Sequence, residues 1–273
     1  MPYESGFTEN RRGKRLFYVK EGPANAVSAW IFCNPFFDEK LFTQRVYWNF
    51  ARTLANLGHR VLRFDYEGDG DSDGDVSDIG LQDRLHDLED MCAVARKGGA
   101  IRSIGLFGLR FGGTLAFLGA LRTGARNILA WAPVLDGARC FQELIRFNLT
   151  TQLGAYKKIV TKSERLVAEL ERRGSISVLG HDLGGRLAFD IRDLSLADVQ
   201  LGPGCRCHVV ALARRSPPDA EGALPDLPPA WEARVATVPI EPFWHEPAVH
   251  DPLQEALVDA SLAMIQARDE ESR

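Results

Sequence analysis

An α/β fold on a mostly parallel sheet is predicted by three observations. Strand and helix patterns alternate between residues 28 and 135, the alternation is lost over 137–203, and it resumes toward the C-terminus. The apolar run Ser28–Cys33 reads as a strand, halted by Asn34-Pro35. Apolar positions Val46, Phe50, Leu54 and Leu57, closed by Gly58, read as a helix. Residues 60–64 form the next strand, and Leu81, Leu85, Leu88, Cys92 and Ala95 mark the inner face of a second helix. A strand at 103–107, a helix opening at 113–118 and a strand at 127–131 follow. Connections of this kind argue for parallel strands covered on both faces. The 137–203 stretch is far longer than an ordinary connection and holds a charged helical pattern at 163–173, so it reads as an inserted lid or cap. A strand from Val209, a Pro-rich loop over 216–229, a strand over 234–240 and a final helix complete the chain. Asp251-Pro252 supplies that helix with an N-cap acid and a first-turn proline.

Composition narrows the functional classes. At 273 residues and 45% hydrophobic, the chain can bury the core of one α/β domain spanning 1–273. A net charge of −4 and a pI near 5.9 leave no basic footprint for nucleic acid. No apolar run approaches the roughly 18 residues that span a bilayer. The first residues lack the charged-then-apolar order of a signal peptide, so a cytoplasmic protein is expected. Five scattered cysteines suit a reducing compartment. Cys205-Arg206-Cys207-His208 opens an apolar strand and has no second ligand pair, so neither metal nor cofactor is expected.

Gly108-Leu109-Arg110-Phe111-Gly112 is the most informative stretch. It stands between a strand and a helix, the context of a nucleophile elbow, whose glycines let helix and strand backbones approach. The central residue of such a turn is strained by roughly 1–3 kcal/mol, normally to expose a Ser, Cys or Asp. Here it is Arg110, and a permanently protonated guanidinium cannot attack a carbonyl carbon.

Asp65-Tyr66-Glu67-Gly68-Asp69-Gly70-Asp71-Ser72 after a strand, followed by the elbow, resembles the α/β-hydrolase superfamily. Trp131-Ala132-Pro133-Val134-Leu135-Asp136-Gly137 and the lid position point to its serine-aminopeptidase-like branch. The run from Cys33 to Lys40, Leu62-Arg63-Phe64-Asp65-Tyr66 and Pro242-Phe243-Trp244 resemble the exosortase A system-associated hydrolases, type 2, bacterial proteins named for exosortase and exopolysaccharide genes. The resemblance covers most of the chain. It implies the α/β-hydrolase fold, mostly parallel sheet with helices on both faces and a small helical cap, and an ester, thioester or amide substrate. It also implies an oxyanion-hole loop at Asn34, Pro35, Phe36 and Phe37, with the Phe111 N–H as second donor; the alternative for 35–37 is a hydrophobic strand exit.

For the acid, the superfamily offers Asp136 and Asp219; for the base, His245, with His250 second, the alternative for His245 being a plain surface residue of a loop beside Glu246 and Pro247. Asp136 equally suits the cap of a lid helix. Cys33 is a substitute nucleophile or, more simply, a buried strand residue. The string Ile176-Ser177-Val178-Leu179-Gly180-His181-Asp182-Leu183-Gly184-Gly185 resembles the aspartate elbow of epoxide hydrolases and haloalkane dehalogenases. Its polar, helical antecedents assign Asp182 to the cap instead. Arg110 at a helix N-terminus is either an anion receptor or one half of an ion pair with Asp136, Asp219 or Glu241. Two functions follow: a hydrolase or acyltransferase, or a catalytically inert protein that binds an acidic ligand or scaffolds a partner. A second copy of the chain or a partner hydrolase stays open as a partner.

Overall fold

The computed structural model describes residues 3–97, 101–178, 180–212, 227–245 and 253–266, the side chains of Leu253 and Gln254 excepted. Its chain begins with two strands, β1 (Tyr3–Glu9) and β2 (Arg15–Glu21), in a hairpin that the sequence patterns do not announce. There follow β3 (Ser28–Cys33), α1 (Phe37–Asn56), β4 (Arg60–Phe64), α2 (Leu81–Arg96), β5 (Ser103–Leu109), α3 (Phe111–Thr123) and β6 (Asn127–Trp131). After β6 come α4 (Gly137–Tyr156), α5 (Ser163–Arg173), the short strands β7 (Ser175–Val178) and β8 (His181–Gly184), and α6 (Gly185–Arg192). The chain then returns through β9 (Arg206–Leu212), β10 (Arg234–Val238) and α7 (Leu253–Gln266).

Eight strands form one sheet in the order β1-β2-β4-β3-β5-β6-β9-β10, with β2 antiparallel to its neighbours and the other pairings parallel. The mostly parallel sheet is the one expected. Period-two alternation sends Ala29, Ile31 and Cys33 to one face, where they pack with α2 and α3, and Trp30 and Phe32 to the other, with α1 and α7. Central strands buried on both faces read as unbroken apolar runs.

Two connections carry the argument forward. Tyr47, on α1, donates from its hydroxyl to the Cys33 carbonyl at 3.1 Å and accepts the Leu109 N–H at 2.8 Å. One buried hydroxyl thereby ties α1 to the ends of β3 and β5. The stretch between β6 and β9 contacts α2 through Arg186, which pairs with Asp83 at 2.9 Å. Gly184 approaches the turn before α2 so closely that an added Cβ would lie 2.2 Å from the Ser77 carbonyl oxygen.

Candidate functional site

The β5–α3 turn is an elbow in backbone geometry. Arg110 has φ 52° and ψ −125°, a conformation that side-chain-bearing residues avoid. Its N–H donates to the Trp131 carbonyl at 2.9 Å, and its own carbonyl accepts the Gly113 N–H at 3.0 Å. A Cβ on Gly112 would stand 2.2 Å from the Cys33 carbonyl oxygen, and one on Gly108 2.2 Å from the Gly112 carbonyl carbon. Neither glycine can be replaced without moving backbone, and this is why the turn has its shape whatever the central side chain is.

Arg110 is held by two carboxylates. Its Nε donates to Glu39 Oε1 at 3.2 Å and its Nη2 to Glu143 Oε2 at 2.9 Å. The guanidinium carbon lies 5.3 Å from the centre of the Trp244 ring. Glu39 comes from the first turn of α1 and Glu143 from α4, so the cluster joins these two helices to the β5–α3 turn. Burial pulls the Arg110 guanidinium down, but Glu39 and Glu143 outweigh it and raise its pKa, leaving it charged. Burial raises the Glu39 carboxyl more than Arg110 lowers it, since one cation cannot compensate two partly buried carboxylates. Of the two alternatives for Arg110, the structure has an ion pair, made with Glu39 and Glu143 in place of Asp136 or Glu241; Asp219 lies outside the described residues.

Arg110, Glu39 and Glu143 line a cavity of about 600 Å³. Phe36, Phe37, Phe42, Phe111, Phe147 and Trp244 make its walls largely aromatic, and exposed His245 also lines it, its ring tilted against those of Trp244 and Phe147 at centroid distances of 5.6 and 5.7 Å. The structure thus brings together Phe36, Phe37, Arg110, Phe111 and His245. Asn34 and Pro35 are not among the lining residues; the Asn34 amide donates to the Phe64 carbonyl at 2.6 Å and ties β3 to β4. Asp136 is exposed and serves as N-cap of α4, accepting the Arg139 N–H at 2.9 Å; it does not line the cavity either. Asp219 and His250 fall outside the described residues, as do Asp251 and Pro252.

Two secondary candidates are placed elsewhere. Cys33 is fully buried and its thiol is pushed up to about 12 by desolvation, the opposite of a nucleophile's environment. Asp182 sits in β8 of the β7–β8 hairpin, exposed, with no elbow around it. Its neighbour His181 reaches Asp38 at 3.1 Å and stacks on Phe37 at 5.0 Å, so the hairpin contacts the start of α1 beside the cavity.

Glu39 and Glu143 are the charged partners of Arg110 that sequence patterns did not single out. Glu143 had a signal: Cys140, Leu144 and Phe147 share one face of α4 at helical spacing, and Glu143 interrupts that apolar face. Among the described residues there is no cluster of three or more metal-ligating side chains, and no helix is long and apolar enough to cross a membrane.

No protein-family model matches the chain, and no curated protein matches it in sequence. Solved structures do match in shape. Est1E from Butyrivibrio proteoclasticus, with ferulic acid bound, superposes with a TM-score of 0.68 at 18% identity, covering 97% of this chain and 99% of that one. The α/β hydrolase GrgF from Penicillium sp. sh18 gives 0.66 at 17% identity, with 98% and 99% covered. The chain has the α/β-hydrolase fold. The same fold is found in the bottromycin epimerase BotH, solved in complex with bottromycin A2, at a TM-score of 0.57 and 14% identity, with 96% and 99% covered.

Proposed function

We propose that this protein is a binding protein on an α/β-hydrolase fold. Its cavity takes a small aromatic or apolar molecule with an acidic group set against Arg110, and 137–203 serves as the cap over it. One observation carries the reading: the elbow position is filled by a guanidinium fixed between Glu39 and Glu143 and laid on Trp244. A side chain so held is a polar anchor at a helix N-terminus, where backbone N–H groups and the helix dipole add to its attraction for an anion. The Phe111 N–H, in the first turn of α3, belongs to the donors that a helix leaves without an internal partner. Aromatic walls supply the apolar contact, and the volume suits a compact ligand. Ferulic acid, the molecule bound to Est1E, is an aromatic acid of this class.

The test is thermal unfolding with ferulic acid and similar aromatic acids. Stabilisation that rises with ligand concentration and disappears in Arg110→Ala supports the reading. Equal stabilisation of both proteins would contradict it.

A hydrolase is the second reading, favoured by His245, which shares the cavity with the elbow. In it His245 activates a water, with Asp219 as its acid, and Phe111 N–H receives the oxyanion. The exosortase-associated motifs would place either function in bacterial cell-surface polysaccharide metabolism, in the cytoplasm; co-purification with, or dependence on, an exosortase system is the observation to seek.

A further inference from the structure

We infer that the ligand of this cavity is a zwitterion, an acid with an amine on the neighbouring carbon and an aromatic or aliphatic remainder. The inference rests on the binding reading above and refines its ligand class. It comes from the charge balance and unused hydrogen-bonding capacity of three side chains.

Arg110 has five N–H bonds. One goes to Glu39 and one to Glu143, and the other three have no protein partner among the described residues. Each carboxylate also has an oxygen in reserve. Glu39 engages Arg110 through Oε1 alone. Glu143 gives Oε2 to Arg110, while its Oε1 lies 3.5 Å from Nε of Arg139, a side chain 78% exposed and a weak competitor. Unused donors and unused acceptors therefore sit within one guanidinium's breadth of each other.

The cluster of Arg110, Glu39 and Glu143 has a net charge of −1 when all three are ionised. A simple anion on Arg110 brings a third negative charge to two carboxylates whose cations are Arg110 and, 3.5 Å from Glu143, the mostly exposed Arg139. A simple cation meets the carboxylates but also the guanidinium beside them. A zwitterion satisfies both: its carboxylate takes the free Arg110 donors near the α3 N-terminus, and its ammonium lies against Glu39 or Glu143. The separation of the two groups in an α-amino acid is about one hydrogen-bond length, matching carboxylates that are themselves hydrogen-bonded to the guanidinium. Phe37, Phe42, Phe147 and Trp244 then surround the remainder. Glu143 is the specificity-determining residue in this arrangement, because it is the more exposed carboxylate, at 31% against 18% for Glu39, and its second oxygen faces only the mostly exposed Arg139.

The test is calorimetric titration of the full wild-type chain with L-phenylalanine, hydrocinnamate, phenethylamine and the uncharged hydrocinnamide. L-phenylalanine is expected to bind about tenfold tighter than any of the others, the value of one charge-assisted hydrogen bond. In Glu143→Gln the gap between L-phenylalanine and hydrocinnamate should close while the protein stays folded. Hydrocinnamate or phenethylamine equalling L-phenylalanine would overturn the inference and leave a plain anion or cation site. A gap unchanged in Glu143→Gln would overturn it as well. If all four bind alike, the cavity binds aromatic molecules but reads no charge, so the zwitterion is excluded while an aromatic pocket remains. If none binds, the binding reading itself falls.

Discussion

Two segments of this chain share the same glycine spacing and fold differently. Gly108-Leu109-Arg110-Phe111-Gly112-Gly113 is an elbow, whereas Gly180-His181-Asp182-Leu183-Gly184-Gly185 is a hairpin strand leading into a helix. The first follows β5, flanked on both sides by parallel strands, and its glycines face backbone at 2.2 Å. The second follows a four-residue strand with one partner; a Cβ on its first glycine, Gly180, would meet nothing within 4 Å, and only Gly184, at its far end, meets backbone, the Ser77 carbonyl oxygen at 2.2 Å. A glycine pattern alone does not make an elbow. The neighbouring strands do, by forcing the turn against β3 and holding Arg110 at a positive φ.

The sharpest way to break the comparison is to add a methyl group to each segment. Gly112→Ala should cost about 3 kcal/mol, since its Cβ meets the Cys33 carbonyl oxygen, while Gly180→Ala, strained only by its φ of 84°, should cost about 1 kcal/mol. Denaturant unfolding of both variants decides; equal losses would mean that the elbow has no special packing demand.

Removing the central side chains should separate the segments next. Arg110→Ala leaves Glu39 and Glu143 facing each other and should cost about 1–3 kcal/mol, less than a fully buried pair because Arg110 and Glu39 are each 18% exposed. Asp182→Ala, on an exposed strand position, should stay within about 0.5 kcal/mol of wild type.

A smaller difference concerns pH. Glu39 in the folded protein holds its proton to higher pH than its ordinary 4.5, so the native state binds more protons than the unfolded one and stability declines as pH rises above that value. Without Arg110 the carboxyl is raised further. The deficit of Arg110→Ala relative to wild type should therefore widen between pH 4.5 and 7, read by denaturant unfolding at each pH. The smallest expected effect is at Cys33: with its thiol buried and pushed up to about 12, it should resist alkylation in the native protein, whereas half-buried Cys205 reacts first.

The sheet was legible because its central strands are continuous apolar runs: Ser28–Cys33, Arg60–Phe64 and Asn127–Trp131 coincide with their expected ranges. The start of α1 was not. Its apolar pattern begins at Val46, but the helix begins at Phe37, because Asp38, Glu39 and Phe42 face the cavity and interrupt the core-facing pattern. The β1–β2 hairpin escaped for a related reason: β1 lies at the sheet edge, mostly exposed, and buries too little to show alternation. In the candidate site, Arg110 stood out through its glycines and His245 through the loop that carries it. The partners of Arg110 come from helices 71 and 33 residues away in sequence, a proximity that only the tertiary fold creates.

On the proposed reading the elbow supplies an anchor and no nucleophile. Turnover of an ester and thioester panel by wild type, Arg110→Ala and Arg110→Ser, side by side, tests it most directly. Loss of a serine nucleophile costs about 10⁶ in kcat in a working hydrolase, so wild type and Arg110→Ala should both be silent, and any activity should appear only in Arg110→Ser. Comparable turnover by wild type and Arg110→Ala would contradict the account and place the chemistry on other residues of the cavity.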